Sequence, residues 1–290
     1  MGKMFKALEK AEKERLLDIQ KEYAAPKLEP IEAFLNAPSI ERKLVSYFQP
    51  GSMVGEQFKK LRTNMFNHSS PGSFRTILVT SAREAEGKTI VAANLAAAIA
   101  QDLNAHALLV EADLRNPSLA SWFGMQNGKG LSDYLTQTED LVGLFMKTPI
   151  AKLTLLSGGR IPENPVELIG SKKMEILIHE LKARYADRYI IIDSSPLLAT
   201  TEPNVLTKMV DGILLVIRAG ETPREAVAQA MGYLLKEKVI GVVLNHLEFK
   251  SSALRSRYFG SKTYYDKYAE RNGEPGFWRR MKSRFTFADE

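Results

Sequence analysis

The sequence predicts an α/β fold, a mostly parallel sheet with helices on both faces, and three observations carry that expectation. Short, apolar, β-branched runs alternate with helix-forming stretches between residues 76 and 244. One of these runs, Ile77 to Thr80, leads through a Gly87-Lys88-Thr89 turn into a continuous alanine-rich helix former, Ile90 to Ala100. Two others end in carboxylates, at Glu111 and at Asp193. Open parallel sheets place their ligands at the carboxyl ends of the strands.

In chain order, residues 3–22 combine helix formers with Met4, Phe5, Leu8, Ala11, Leu16 and Ile19 among charges, a partly amphipathic helix. Pro26, Pro30 and Pro38 follow, so residues 1–50 read as a docking helix and a linker. A second helix, Val54 to Phe66, leads through His68-Ser-Ser-Pro-Gly-Ser73 into the first strand. Strands and helices then alternate over 76–80, 90–101, 107–111, 117–123, 131–135, 153–156, 165–183, 188–193, 202–209, 212–217, 222–236 and 239–244. Residues 51–249 are expected to form the main α/β domain and residues 250–290 a tail.

Composition narrows the chemistry. With 290 residues and 44% hydrophobic content the chain supports one large domain with extensions. It has no cysteine, which excludes disulfides, thiolate zinc sites and cysteine nucleophiles and fits a reducing compartment. His68, His106, His179 and His246 lack metal-ligand spacing. Met1 to Glu22 lacks the apolar core of a signal peptide, and Ala92 to Ala100 falls far short of the ~20 residues that span a bilayer. A cytoplasmic protein is expected, reaching a membrane only through a partner or a surface patch. Of the net charge of +6, the tail carries +5, from ten Lys/Arg and five Asp/Glu. A basic tail meets anionic lipid, nucleic acid or an acidic protein surface, or is simply solvated.

The turn at Gly87 is where a nucleotide's phosphates are held. Backbone N–H groups opening a helix have no intrahelical partner and, with the helix dipole, attract an anion. Lys88 would reach the β/γ-phosphates and the Thr89 hydroxyl would bind Mg²⁺, as in a P-loop. The residues before it, Arg83, Glu84, Ala85 and Glu86, form the rest of the loop, and Ile90 follows it. Period-two alternation puts Glu111 and Asp113 on one side of their strand. Asp113 and Asp193 would complete the metal site with Thr89, and Glu111 or Asp113 would act as base. The plainer alternative is carboxylates that cap loops.

Together these segments resemble a known family. Ser81-Ala-Arg-Glu-Ala-Glu-Gly-Lys-Thr89, Val110-Glu-Ala-Asp-Leu-Arg-Asn-Pro117 and Ile192-Asp-Ser-Ser-Pro196 are similar to the Walker A, A′ and B motifs of the bacterial tyrosine kinases, autokinases of capsule and exopolysaccharide assembly related to the MinD/ParA P-loop ATPases. Glu56-Gln-Phe-Lys-Lys-Leu-Arg62 resembles the family's subunit-contact helix, with Glu56, Lys59 and Arg62 in its charged positions. Ser157 to Leu168 resembles its Gly/Pro-rich segment, and Arg218 and Asn245 end strands where related ATPases contact the nucleotide.

The resemblance implies a P-loop NTPase fold, ATP and Mg²⁺ as cofactors, and autophosphorylation in trans on a clustered tyrosine tail, here Tyr258, Tyr264, Tyr265 and Tyr268. It also implies a ring-like homo-oligomer, a membrane polysaccharide co-polymerase as activator and an opposing tyrosine phosphatase. Taken alone, the tyrosines also suit a partner anchor or a nucleic-acid stacking strip, although no nucleic-acid motif accompanies them. The chain departs from the family pattern at Glu84 and Ala85, where Pro-Gly is usual, at Glu111 in place of Asp, and at Lys59 in place of Arg. The rival expectations are a positioning ATPase of the MinD/ParA kind and a nucleotide-gated scaffold with blunted catalysis.

Overall fold

The computed structural model describes residues 40–67, 74–136, 139–184 and 187–247. The chain divides into two compact units, Met1–Pro38 and Ser39–Glu290, and the described residues all belong to the second. The docking helix expected over 3–22 and the tyrosine tail lie outside them.

Helices α1 (Val45–Phe48) and α2 (Met53–Asn67) precede strand β1 (Thr76–Ser81), helix α3 (Lys88–Ala100) and strand β2 (His106–Glu111). Helices α4 (Leu119–Trp122) and α5 (Leu131–Leu135), strands β3 (Phe145–Lys147) and β4 (Leu153–Leu156) and helices α6 (Pro165–Ile169) and α7 (Lys172–Arg184) follow. Strand β5 (Arg188–Asp193), helix α8 (Glu202–Met209), strand β6 (Gly212–Arg218), helix α9 (Arg224–Gly232) and strand β7 (Val239–Asn245) complete the body. The strands form one sheet in the order β3-β4-β2-β5-β1-β6-β7, parallel except for β3 against β4.

Alternation along the strands builds the two cores. Ile77, Val79, Leu109 and Ile191 face one way, against Leu95, Ile99 and Phe123. Leu78, Leu108, Ile190 and Ile192 face the other way, against Met174, Leu177 and Leu206. Both faces are covered, which explains why β1 reads as an uninterrupted buried run. Helix α3 is buried at every position from Val91 to Ala100, and its alanines let it lie close to the sheet. Asn94 fastens the preceding segment to it: its Oδ1 accepts from the Ser46 N–H at 2.8 Å and its Nδ2 donates to Lys43 O, also at 2.8 Å. Gln101 Nε2 donates to Ser46 O at 2.6 Å.

Three elements differ from the sequence expectation. The helix expected over 165–183 is two helices, because the Ser171 hydroxyl accepts the Met174 N–H at 3.2 Å and starts a new helix there. The helix expected over 222–236 is shorter, with Pro223 capping its start and Tyr233 its end. The antiparallel edge strand β3, three residues long, has no counterpart in the expected elements.

Candidate active site

The loop between β1 and α3 is held from both ends. Ser81 Oγ donates to Arg83 O at 2.7 Å, and the Arg83 N–H donates to Glu86 Oε2 at 2.9 Å. The other Glu86 carboxylate oxygen accepts the Thr222 hydroxyl, and Asn245 Nδ2 donates to Glu86 O at 2.9 Å. Ala85 and Gly87 have φ of 59° and 92°, with Glu86 between them outside the left-handed region. Backbone of this alternating kind turns successive N–H groups toward a common point and makes an anion-binding nest. Glycine is required at 87, where an added Cβ would lie 2.1 Å from Asn245 Nδ2. Ala85 adopts the same region at a cost of roughly 1–2 kcal/mol.

Beyond the loop, Lys88 Nζ lies 3.0 Å from Asp113 Oδ2, both groups largely buried. Asp193 is fully buried at the end of β5, beside β1, and accepts a hydrogen bond from the Thr89 side chain. Desolvation pushes its carboxyl up to about 7, against the opposing pull of Lys88 and Thr89, while Glu111 and Asp113 add to the rise. Its Oδ1 has no hydrogen-bond partner among the described residues. A buried, unpartnered carboxylate oxygen beside a threonine hydroxyl and a second carboxylate is a donor set that suits Mg²⁺.

Glu111 is placed differently from Asp113. Its Oε1 accepts the N–H groups of Ser118 and Leu119 at 2.5 and 2.7 Å, and its Oε2 accepts that of Gly158 at 2.8 Å. Burial raises its pKa, with these three backbone bonds opposing. Alternation was expected to put the two carboxylates on one side of their strand; β2 stops at Glu111, and Asp113 lies on the loop beyond, where it pairs with Lys88.

The Gly/Pro-rich segment forms the wall behind Glu111. Leu131 and Ser132 N–H groups donate to Ser157 O and Gly158 O at 2.8 and 3.0 Å, and Asp133 Oδ2 accepts the Gly130 N–H at 2.8 Å. Gly159, with φ of 79°, passes so close that a Cβ would fall 2.6 Å from Asp133 Oδ2. Arg115, also in the A′ segment, pairs through Nε with buried Glu202 at 2.7 Å and ties this loop to α8.

A cleft of about 440 Å³ opens on the outer side of the loop, between Glu84, Leu198, Ala199 and Glu221. Arg218 lines it and pairs with Glu221 at 3.0 Å. In α2, Glu56 pairs with Lys59 at 2.8 Å, while Arg62 Nη1 reaches Ala98 O at 2.8 Å in the last turn of α3. Lys88, Thr89, Asp113 and Asp193 therefore come together, with Arg83 to Gly87 beside them; Ile90 packs against the core and Glu56, Lys59 and Arg62 sit on a separate helix. The expected acceptors, Tyr258, Tyr264, Tyr265 and Tyr268, lie outside the described residues. Thr222 closes the Val216–Thr222 segment, which resembles the family, but the sequence assigned it no role, and its hydrogen bond to Glu86 shows one.

A mostly parallel sheet with a Gly-Lys-Thr loop after an interior strand, beside strands that end near carboxylates, defines a P-loop NTPase. No family model matches the chain. It is 33% identical over 225 residues to the tyrosine-protein kinase YwqD of Bacillus subtilis, covering 77% of this chain and 93% of that one. It is similar to the crystal structure of the chimerical protein CapA2B2, with TM-score 0.66, 30% identity and coverage of 76% of this chain and 99% of the other. The kinase domain of the Escherichia coli tyrosine kinase ETK matches with TM-score 0.67 and 27% identity, over 72% of this chain and 82% of that one. The chain belongs to the bacterial tyrosine kinases and is an enzyme of that family.

Proposed function

We propose that the chain transfers the γ-phosphoryl group of ATP to tyrosine, and that the acceptors are Tyr258, Tyr264, Tyr265 and Tyr268 of a neighbouring copy. The observation that carries the reading is the cluster of Lys88, Thr89, Asp113 and Asp193 at the carboxyl ends of adjacent strands, beside a loop of converging N–H groups. The loop from Arg83 to Gly87 binds phosphate oxygens through backbone N–H groups, and Lys88 meets the β/γ-phosphates. Thr89, Asp113 and Asp193 would hold Mg²⁺, which when bound would neutralise charge on the phosphates. Asp113 is better placed than Glu111 to take the tyrosine proton, because both oxygens of Glu111 are engaged by backbone N–H groups. Arg218 and Asn245 border the nucleotide, and Glu56, Lys59 and Arg62 serve a contact between copies in a ring.

Each tail phosphate adds about −1.5 to −2 charges, so four outweigh the tail's +5 and loosen its hold on neighbouring acidic surfaces. Regulation of polysaccharide polymerisation and export follows as the process, at the inner face of the cell membrane, with a membrane co-polymerase as activator and a tyrosine phosphatase as opponent. No helix among the described residues is long and apolar enough to cross a membrane. The test is incubation of the purified chain with Mg·ATP, with and without a candidate membrane partner, followed by mass spectrometry. Phosphate on the 258–268 tyrosines is expected. Phosphate release without phosphotyrosine would replace this reading with a positioning ATPase, and neither outcome with a nucleotide-gated scaffold.

A further inference from the structure

The phosphate loop holds an alanine in backbone that glycine favours, and its surroundings show what keeps it there. Ala85 has φ of 59°. Two residues before it, Arg83 is pinned at both backbone groups, its carbonyl by Ser81 Oγ at 2.7 Å and its N–H by Glu86 Oε2 at 2.9 Å. One residue after it, the Glu86 carbonyl is pinned by Asn245 Nδ2 at 2.9 Å. The Glu86 side chain therefore closes a ring around Ala85, and the carboxylate oxygen left over is held from outside the loop by Thr222. Thr222 is itself fixed at the end of β6: its Oγ1 accepts the Arg218 N–H at 2.9 Å, and its own N–H donates to Arg218 O at 3.0 Å. Glu86 is buried beside the place of a triphosphate, where a second anion opposes binding. What its retention returns is geometric: strained backbone persists only where the surroundings over-determine it.

We propose that Thr222 is a positioning residue for the nucleotide site, bracing Glu86 so that Ala85 stays left-handed and the loop N–H groups converge. This rests on the nucleotide-binding reading above. It makes a side chain on the β6–α9 connection, outside every phosphate-binding motif of the sequence, a determinant of nucleotide affinity in this chain. It also ties that dependence to the alanine, since glycine adopts the left-handed region at no steric cost and needs no brace.

The test is calorimetric titration of Mg·ADP into the full-length chain and four variants, with thermal unfolding recorded for each. Thr222→Val keeps the shape and removes the hydroxyl, and is expected to raise Kd about tenfold, equivalent to about 1.4 kcal/mol. Thr222→Ser restores the hydroxyl and should recover most of the loss, a rescue that loss of packing alone would not produce. Adding Ala85→Gly to Thr222→Val should recover several-fold more affinity than Ala85→Gly gives in the parent. Because Thr222 is only partly buried, the variants should unfold within a few degrees of the parent. Parent-like affinity in Thr222→Val, or equal effects of Ala85→Gly in both backgrounds, overturns the brace alone. A parent chain that fails to bind Mg·ADP overturns the nucleotide reading and the brace with it.

Discussion

Asp193→Asn in the metal-free protein should stabilise the fold while removing activity. The Asp193 carboxyl is fully buried, and its proton affinity in the folded chain corresponds to a pKa of about 7, against 3.8 for an ordinary aspartate. At 1.36 kcal/mol for each tenfold change in proton affinity, the ionised carboxylate costs the folded state about 4 kcal/mol at pH 8. The sign follows from proton binding: between about pH 4 and 7 the unfolded chain has released this proton and the folded chain has kept it, so stability falls across that window and is level above it. Asparagine is nearly isosteric and uncharged, so its advantage should be greatest at pH 8 and less than half as large at pH 5. For a body of this size the gain corresponds to an apparent Tm increase on the order of 10 °C at pH 8, read by calorimetry in EDTA. Saturating Mg·ADP should narrow or reverse the difference, because the variant offers the metal one carboxylate fewer than the parent. An Asn variant no more stable than the parent at pH 8, or equally advantaged at both pH values, would refute the reasoning.

Lys88→Met should lower autophosphorylation by at least about a hundredfold, measured by phosphotyrosine accumulation, since it removes the cation that meets the phosphates and Asp113. Glu111→Gln should cost about 1 kcal/mol in urea unfolding, because an amide presents a donor to one of three backbone N–H groups, a loss that removal of the buried charge partly offsets. Gly159→Ala should destabilise by about 2–3 kcal/mol in the same assay, since a Cβ there combines left-handed strain with a 2.6 Å approach to Asp133 Oδ2.

Most of the architecture was legible because its signals are local. The buried run of β1, the Gly87-Lys88-Thr89 turn and the alanine helix state strand, loop and helix between Thr76 and Ala100, and neighbouring strands repeat the pattern. β3 was not legible: Phe145-Met-Lys147 is too short to show a period, and its pairing is fixed only by β4. The break at Gly170–Ser171 depends on one serine hydroxyl, a cap that the helix-forming run on either side conceals. At the site, Lys88, Thr89, Asp113 and Asp193 were readable from type and spacing, whereas the work of Glu111 and Glu86 was not. A glutamate's partners here are backbone groups on loops distant in sequence, and no spacing rule encodes them. The strain at Ala85, by contrast, was foreseeable once the position was known to want glycine.

Asn94 and Gln101 give the body a mechanical property. Helix α3 is buried from Val91 to Ala100, and the segment at Lys43 to Ser46 is fastened to it by these two amides. The first turn of that same rod carries Lys88 and Thr89. The segment that enters the body at Ile40 and the seat of the phosphates therefore share one buried helix as their common support.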